Sequence, residues 1–540
     1  MSSNPRSKVR LPFGETEWFK VTRGVAQGAV ESPFLYSCYI NDLVREMKNK
    51  GLGISIGGVL TPMLMYADDI VLLAGTVSEL KAMNKVVSEF ASRNRFSHNG
   101  EKSAVMVFNA KGPLRDRVKK EKWVLSGEPV KVKEQYKYLG VEILERVSDW
   151  KVYVDKVIAK AGWLSRDLAW MLRRDSGMRV RSAITLFRAL VRPVMEYAAE
   201  LWGGDITVAQ VNSMEQIQTD FGRTMLGLSG VHRVSNDFVR AELGMERMQS
   251  RWAKLRLGYW RRIHKATPDR VLCRLAQLRK MHVSWGGQLA ANGWMTGTKQ
   301  MLEMYGLERE WHTPVMCTLT SKEEWKTRVA EVVERHEDRL RKERAGLMTS
   351  VASARYQEIK GWARVTEDAA KFTGEIGRMG ALVHEAYLDD HRESVGRKLK
   401  MCCRAGCLPV LDRVGRMDGW APQLRKCLLC DTGEVETVQH LILSCPAHQR
   451  HRDIMLKVVG RAFKCAMEKQ QNDATDFCSL DLRDQCNVIL GKTTGVSKMD
   501  ARVDAVFKRF MKKAWRNRKR VTRAVQKTLE CDGGLWALVR

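Results

Sequence analysis

From Ser32 to Lys48 apolar residues return every three or four places. Leu35, Tyr39 and Leu43, at steps of four, predict the buried stripe of a helix over "SPFLYSCYINDLVREMK", with Ser32 as a candidate cap and Pro33 in the first turn. Upstream, "VRLPFGETEWFKVTRG" predicts two short strands around the turn Pro12–Gly14. Downstream, "MLMYADDIVLLAG" (63–75) has a hairpin pattern. "TVSELKAMNKVVSEFASRN" then predicts a helix, with capping-box spacing between Thr76 and Glu79 and with Leu80, Met83, Val87 and Phe90 on one face. "HNGEKSAVMVF" predicts a turn and a strand, and "EQYKYLGVEI" a further strand run. Residues 20–145 thus alternate helices and strands as one α+β unit.

From Trp150 onward the period is mostly helical. "VRSAITLFRALVRPVMEYAAELWG" predicts a helix broken at Pro193. "SKEEWKTRVAEVVERHEDRLRKERAG" opens on a second capping box, Ser321 to Glu324. Its narrow seam of Trp325, Val329, Val332 or Val333 and Leu340 predicts a charge-laced, largely solvated helix. "FKRFMKKAWRNRKRVTR" (507–523) predicts a basic amphipathic helix. Internal repeats and low-complexity tracts are not evident.

The chain has 540 residues, enough for three or four domains, and is 44% hydrophobic and 29% charged, so a sizeable core can be buried. Its net charge of +30 points to a polyanionic partner, because Lys and Arg neutralise phosphates and release counterions. A membrane surface fits less well, the charge being spread along a Trp-rich chain. No apolar run approaches the ~18 residues of a spanning helix. The first nineteen residues hold no apolar segment of the secretory kind. Thirteen cysteines without a secretory signal suggest reduced thiols and metal ligands, and the expected compartment is nucleus or cytoplasm.

The adjacent carboxylates Asp68 and Asp69 interrupt an apolar, strand-like run. Two bare carboxylates a few Å apart repel each other. A divalent cation removes that repulsion, and hard oxygen donors suit Mg²⁺. The plainer alternative is a solvated Asp-rich turn. The context decides between them. "YADD", preceded by "GVAQGAVESPFLYSCYINDL", resembles the reverse transcriptases of non-LTR retrotransposons. Gly24, Gln27, Gly28, Ser32 and Pro33 match that family's G-x-x-Q-G-x-x-x-S-P segment, and Tyr66, Ala67, Asp68 and Asp69 match its catalytic hairpin. "HNGEKSAVMVF" looks like the next family segment, with Lys102 at the lysine position. "YKYLGVEI" looks like the primer-grip hairpin, and "LFRALVRPVMEYAAELWG" is similar to the start of the thumb.

The resemblance implies an RNA-directed DNA polymerase that uses dNTPs, an RNA template and a DNA primer or target. It implies two Mg²⁺ ions clamping the attacking and leaving oxygens. Asp68 would bridge both ions and Asp69 would assist the ion near the primer end. Lys102 would protonate the leaving pyrophosphate. Gln27, Gly28 and Tyr66 would lie against the template–primer and incoming nucleotide. The family also needs a third carboxylate, several dozen residues before the G-x-x-Q-G segment. Only 23 residues precede Gly24, with Glu15 and Glu17 on a predicted hairpin and no Asp. The expectation is therefore an N-terminally truncated polymerase, without fingers or first palm strand, and not catalytically competent as this chain. The alternative is a retroelement-derived nucleic-acid binder without enzymatic activity.

"CLLCDTGEVETVQHLILSC" spaces Cys427, Cys430, His440 and Cys445 as three thiolates and one imidazole suited to tetrahedral zinc. "VQHLILSC" predicts a turn and a half of helix, carrying His440 and Cys445 near one face. His448 and His451 are alternative ligands, and Cys402, Cys403 and Cys407 read as core or loop thiols. Such a zinc is structural, and the same arrangement is familiar near the C-terminus of the family. In 507–523, nine of seventeen residues are Lys or Arg. Either a docked helix with a solvated face or phosphate contact accounts for them, and "RNRKR" suits nuclear import. The expected organisation is a partial polymerase palm (1–145), a helical thumb (146–265), a helical connector (266–400), a zinc-knuckle region (401–460) and a basic helical tail (461–540).

Overall fold

The computed structural model describes residues 6–531 except 22–23, 26–27, 109–111, 147–148, 175–177, 230–233, 269, 285–292, 348–355, 357–358, 360–383, 391–392, 470–475 and 492–496. Two units divide the chain: residues 1–150 with 262–296, and residues 151–261 with 297–540. The architecture is mixed, with small, mostly antiparallel sheets in the first unit and helices dominating the second.

The first unit opens on β1 (Arg6–Ser7), β2 (Arg10–Leu11), β3 (Gly14–Glu15) and β4 (Phe19–Lys20), with β2–β3 nested inside the β1–β4 pair. Helix α1 follows over Ser32–Asn49. Leu43 is buried as expected, but the rest of the buried face is offset by one residue, about 100°, from Leu35 and Tyr39. Ile40, Leu43 and Met47 are buried with Tyr36 against them, whereas Tyr39 is 43% exposed. Steps of four drift away from a 3.6-residue period, and the 36/40/43/47 series follows it more closely. Ser32 is the first helical residue and not the cap. The cap position is Glu31, which makes no side-chain capping bond.

Strands β5 (Ile54–Ile56) and β6 (Val59–Thr61) form one hairpin and β7 (Met63–Tyr66) and β8 (Asp69–Leu72) the next. Helix α2 (Val77–Arg93) packs Met83, Val86, Val87 and Phe90 onto α1 and Met63. Thr76 caps it by accepting from the Glu79 N–H. The Glu79 carboxylate does not complete the expected box. It accepts instead from Gly75 N at 2.7 Å and Gly53 N at 2.8 Å, which ties the helix start to the segment before β5. At Gly53, φ is 122° and a Cβ would lie 2.4 Å from Pro62 Cα, so only glycine fits.

The remaining strands are β9 (Ala104–Val105), β10 (Trp123–Leu125), β11 (Glu128–Val132), β12 (Gln135–Tyr138) and β13 (Val141–Leu144), with helix α3 at Pro113–Lys120. The β9–β11 pairing is parallel, whereas the other described strand pairs are antiparallel. Strands β12 and β13 pair through Leu139 and Gly140, both at positive φ (48° and 81°), as a two-residue primed turn requires. The thirteen described strands remain six separate small sheets. Residues 262–296 join this unit, with Arg274 Nη1 donating to Gly57 O at 2.7 Å.

In the second unit the helix expected to break at Pro193 does so, ending at Leu190 and resuming at Arg192. Both halves of the Ser321–Glu324 box form, at 2.7 and 3.1 Å, and Trp325, Val329, Val332 and Val333 are buried beneath it. The C-terminal helix, Ser497–Cys531, packs Phe507, Phe510, Met511, Ala514 and Trp515 into a core shared with the 394–404 and 449–469 helices. A buried ionic group lies beside that core. Arg404 reaches Glu242 Oε1 at 2.6 Å, and the Tyr356 and Tyr387 hydroxyls also donate to Glu242. No described helix is long and apolar enough to cross a membrane.

Candidate functional site

Two separate places carry the candidate chemistry. The first is the tip of the β7–β8 hairpin. Tyr66 pairs with Asp69, so the turn consists of Ala67 and Asp68 alone. Ala67 has φ 50°, a left-handed conformation costly for a residue with a Cβ, and this strain sits beside the carboxylates. The apolar sequence flanking the pair divides as a two-residue period demands. Met63 is buried and Met65 and Ile70 pack on the α1–α2 core, while Leu64 faces out. Asp68, Asp69 and Tyr66 are all exposed.

Two tyrosines feel the charge of the carboxylates. Burial raises the Tyr36 hydroxyl above its ordinary value, and the nearby charge of Asp68 raises it further. Tyr138 is raised by burial and then by Asp69. Asp68 is therefore within electrostatic reach of α1, and Asp69 of the β12–β13 hairpin. Lys102 lies in the exposed turn before β9. Its carbonyl accepts from the Tyr136 hydroxyl at 2.5 Å, which fastens that turn to β12. Gly28 has φ 86° with open space where a Cβ would stand, so backbone conformation and not packing calls for glycine. Gln27 lies outside the described residues. Glu15 pairs with Lys8 and Arg10, which hold its carboxyl below the usual range. Among the described residues no third His, Cys, Asp or Glu gathers with Asp68 and Asp69 into a metal-sized group. Two hard oxygen donors suit Mg²⁺ but leave most of its coordination shell unfilled.

The second place is residues 425–452. Cys427, Cys430, His440 and Cys445 bring one ligand atom each to within 4.8 Å of one another. Cys427 Sγ lies 3.9 Å from Cys445 Sγ, and Cys430 Sγ lies 3.4 Å from His440 Nε2. A short hairpin holds the first two ligands: Lys426 bridges to Val435, and Cys427 N donates to Glu434 O at 2.8 Å. Gly433, at φ 72°, makes the turn.

The helical segment holds the other two ligands, by a different geometry from the simple turn and a half expected. In an α-helix five residues advance about 500°, leaving His440 and Cys445 about 140° apart. Here His440–Ser444 is a π-helical turn, closed by Cys445 N donating to His440 O at 2.8 Å, and this wider turn returns Cys445 to the side of His440.

The surroundings complete the site. Glu434 Oε2 lies 2.6 Å from His440 Nδ1, fixing the ring with Nε2 turned toward the thiols. The Cys445 carbonyl accepts from Arg452 at 2.6 Å. Three soft sulfurs and one imidazole nitrogen, packed this closely, fit zinc. His448 is buried against Phe510 and does not join the group. Cys403 and Cys407 are buried outside it and Cys402 is half-buried. Sequence reasoning missed Glu434, Tyr36 and Tyr138. The first was signalled by an acid six residues before the histidine, and the other two have no local signal.

Residues 4–143 match the family model of the reverse transcriptase (RNA-dependent DNA polymerase). The chain is 25% identical over 189 residues to the RNA-directed DNA polymerase from mobile element jockey of Drosophila funebris, covering 34% of this chain and 20% of that protein. It is 25% identical over 192 residues to a retrovirus-related Pol polyprotein from type-1 retrotransposable element R1 of Nasonia vitripennis, covering 33% and 43%. Over 112 residues it is 31% identical to the R2 counterpart of Popillia japonica, covering 20% and 16%. The matched stretch spans less than half the length of each of these relatives. The stretch that matches the reverse transcriptase family model thus includes the hairpin that holds Asp68 and Asp69.

Proposed function

We propose that the chain carries the nucleotidyl-transfer hairpin of a non-LTR RNA-directed DNA polymerase, acting with Mg²⁺ and dNTPs on an RNA template and a DNA primer. One observation carries the reading: Asp68 and Asp69 stand exposed at the tip of a hairpin whose two-residue turn holds Ala67 at φ 50°. In this reading residues 1–145 are a partial palm, 146–265 a thumb, 266–400 a connector, 401–460 a zinc-knuckle region and 461–540 a basic tail. Asp68 and Asp69 supply the metal's carboxylates, Lys102 a proton for the leaving group, and Gln27, Gly28 and Tyr66 the face toward template and nucleotide. The expected location is nucleus or cytoplasm. With two carboxylates and, among the described residues, no third beside them, the metal pair is held poorly, so transfer is expected to be weak.

The experiment is Mn²⁺ binding, followed by electron paramagnetic resonance, with primed RNA template and a dNTP present. Binding should be lost in Asp68→Asn and Asp69→Asn. Equal binding by those variants would overturn the proposal. A second reading, a nucleic-acid binder without polymerase chemistry, is favoured by the Cys/His group, whose four ligands and Glu434 need nothing from the hairpin.

A further inference from the structure

The C-terminal helix sorts its cations in a way that packing alone does not require. From Ala505 to Leu529 it contains no Asp or Glu. Its inward-facing cations are each matched by carboxylates from elsewhere or from the helix start. Lys508 pairs with Asp390 at 3.0 Å and Asp504 at 2.5 Å. Lys512 pairs with Glu393 at 3.3 Å. Arg518 is gripped by both Glu436 oxygens at 2.6 and 2.9 Å and lies over the Trp515 ring.

Besides Lys519, which is also exposed, the outward-facing cations form a series of six: Arg509, Lys513, Arg516, Arg520, Arg523 and Lys527. All six are exposed, and among the described residues none pairs with a carboxylate. Their steps are four, three, four, three and four, so they form one straight row about 27 Å long. Each neighbours the next along a helix face, where like charges repel. The helix over Lys322–Leu347 handles a similar load differently. There exposed cations alternate with acids and pair locally, Arg328 with Glu331 and Arg339 with Glu343. A helix that only needed a soluble outer face would resemble that one.

We propose that this row is a docking surface for the phosphodiester backbone of a nucleic acid, with the buried ion pairs fixing the helix's rotation so that the row faces outward. Duplex DNA presents about one negative charge per 1.7 Å of axis, so a 27 Å row meets more phosphates than it has cations. The inference rests on residues 297–540 alone and stands whether or not Asp68 and Asp69 hold a metal. Arg518 and Glu436 act here as positioning residues, joining the helix to the Cys/His segment.

The test measures affinity by fluorescence anisotropy across a salt series. The full chain is titrated with a labelled 30-base-pair DNA duplex, an RNA–DNA hybrid of the same sequence, and each single strand. Six exposed neutralisations (R509Q, K513Q, R516Q, R520Q, R523Q and K527Q together) should lower the slope of log K against log salt by about 4–5, and affinity at 0.1 M salt on the order of 10³-fold. The pair R516Q/R520Q alone should lower the slope by about 2, which keeps the test decisive if the sixfold variant fails to fold. Neutralising Lys326, Arg328, Arg335 and Arg339 should leave the slope nearly unchanged. An unchanged slope in the pair and sixfold variants would overturn the proposal. So would competition by a polyglutamate peptide as effective, charge for charge, as DNA, since the row would then suit an acidic protein.

Discussion

The carboxylate hairpin and the Cys/His segment are both sites of clustered ligands, yet the chain builds them in opposite ways. Asp68 and Asp69 project from a two-stranded ribbon into solvent, and their surroundings are two tyrosines felt through charge. Cys427, His440 and Cys445 are buried, four ligand atoms converge, and the histidine is already oriented by Glu434. A metal at the second site would hold the fold together. A metal at the first would be held by the fold and by whatever substrate comes with it. The difference between a structural and a working metal site is thus visible in burial and in the completeness of the ligand set.

The largest expected effect comes from emptying the second site. Zinc supplies about 10–16 kcal/mol of folding free energy to isolated finger peptides. Here the segment also packs Leu441, Ile442 and Leu443 into the large core of the second unit, so part of its order survives metal loss. Cys445→Ser, or chelation of the unaltered chain, should cost several kcal/mol and lower the melting temperature of the second unit. Metal analysis should find one zinc per chain, absent from the variant. An unshifted melting temperature after complete zinc removal would break the contrast between the two sites.

Next in size is the joint between that segment and the C-terminal helix. Glu436, 1% exposed, accepts from Arg518 through both oxygens and from Leu411 N at 2.7 Å. Removing one partner of a buried pair strands the other charge, at a cost of about 3–5 kcal/mol. Glu436→Gln should therefore destabilise by that order in denaturant unfolding. The double variant Glu436→Gln with Arg518→Met should lose less than the sum of the single changes.

Much of this contrast was legible in the chain itself, for reasons that differ by site. The Cys/His group is local: four ligands within nineteen residues, at spacings that only a short hairpin and a helical turn can bring together. Its π turn was not legible, because an α-helical reading leaves His440 and Cys445 about 140° apart and nothing in "HLILSC" announces the wider turn. The carboxylate hairpin was legible from apolar runs meeting at a charged pair. The residues around it were not, since Tyr36 and Tyr138 lie some thirty and seventy positions away and are brought near by tertiary packing. Helix α1 shows the same limit on a smaller scale. Its existence and the buried Leu43 followed from the apolar period, but the rest of its stripe was one residue out, because Leu35 and Tyr39 fit a step of four as well as Tyr36 and Ile40 do. The buried carboxylates Glu242 and Glu436 had no signal at all, since each is satisfied by residues distant in sequence.

A smaller effect should come from the outer shell of the Cys/His group. Glu434 is itself exposed and lies outside the four-ligand group; its work is to hold His440 Nδ1 at 2.6 Å. Outer-shell partners of this kind are worth about 10–100-fold in metal affinity. Glu434→Gln should raise the zinc dissociation constant by that factor in a competition titration with a chromogenic chelator, while the melting temperature of the zinc-loaded chain stays near that of the unaltered protein. A loss as great as that of Cys445→Ser would mean that the carboxylate is a ligand and not an orienter.

The smallest effect on stability should come from the hairpin, and here a near-zero result is the informative one. Asp68 and Asp69 are exposed, make no ion pair among the described residues, and sit close enough to repel each other. Replacing either with Asn removes that repulsion without disturbing the packing of Met63, Met65 or Ile70 beneath. Surface changes of this type fall within about 0.5 kcal/mol, and relief of like-charge repulsion makes a slight gain the expected sign. Unfolding of Asp68→Asn and Asp69→Asn should therefore match the parent chain within error, while Mn²⁺ binding with primed template is lost. Should either variant destabilise by more than about 2 kcal/mol, the carboxylates would be part of the frame, as the cysteines are, and the distinction between the two sites would fail.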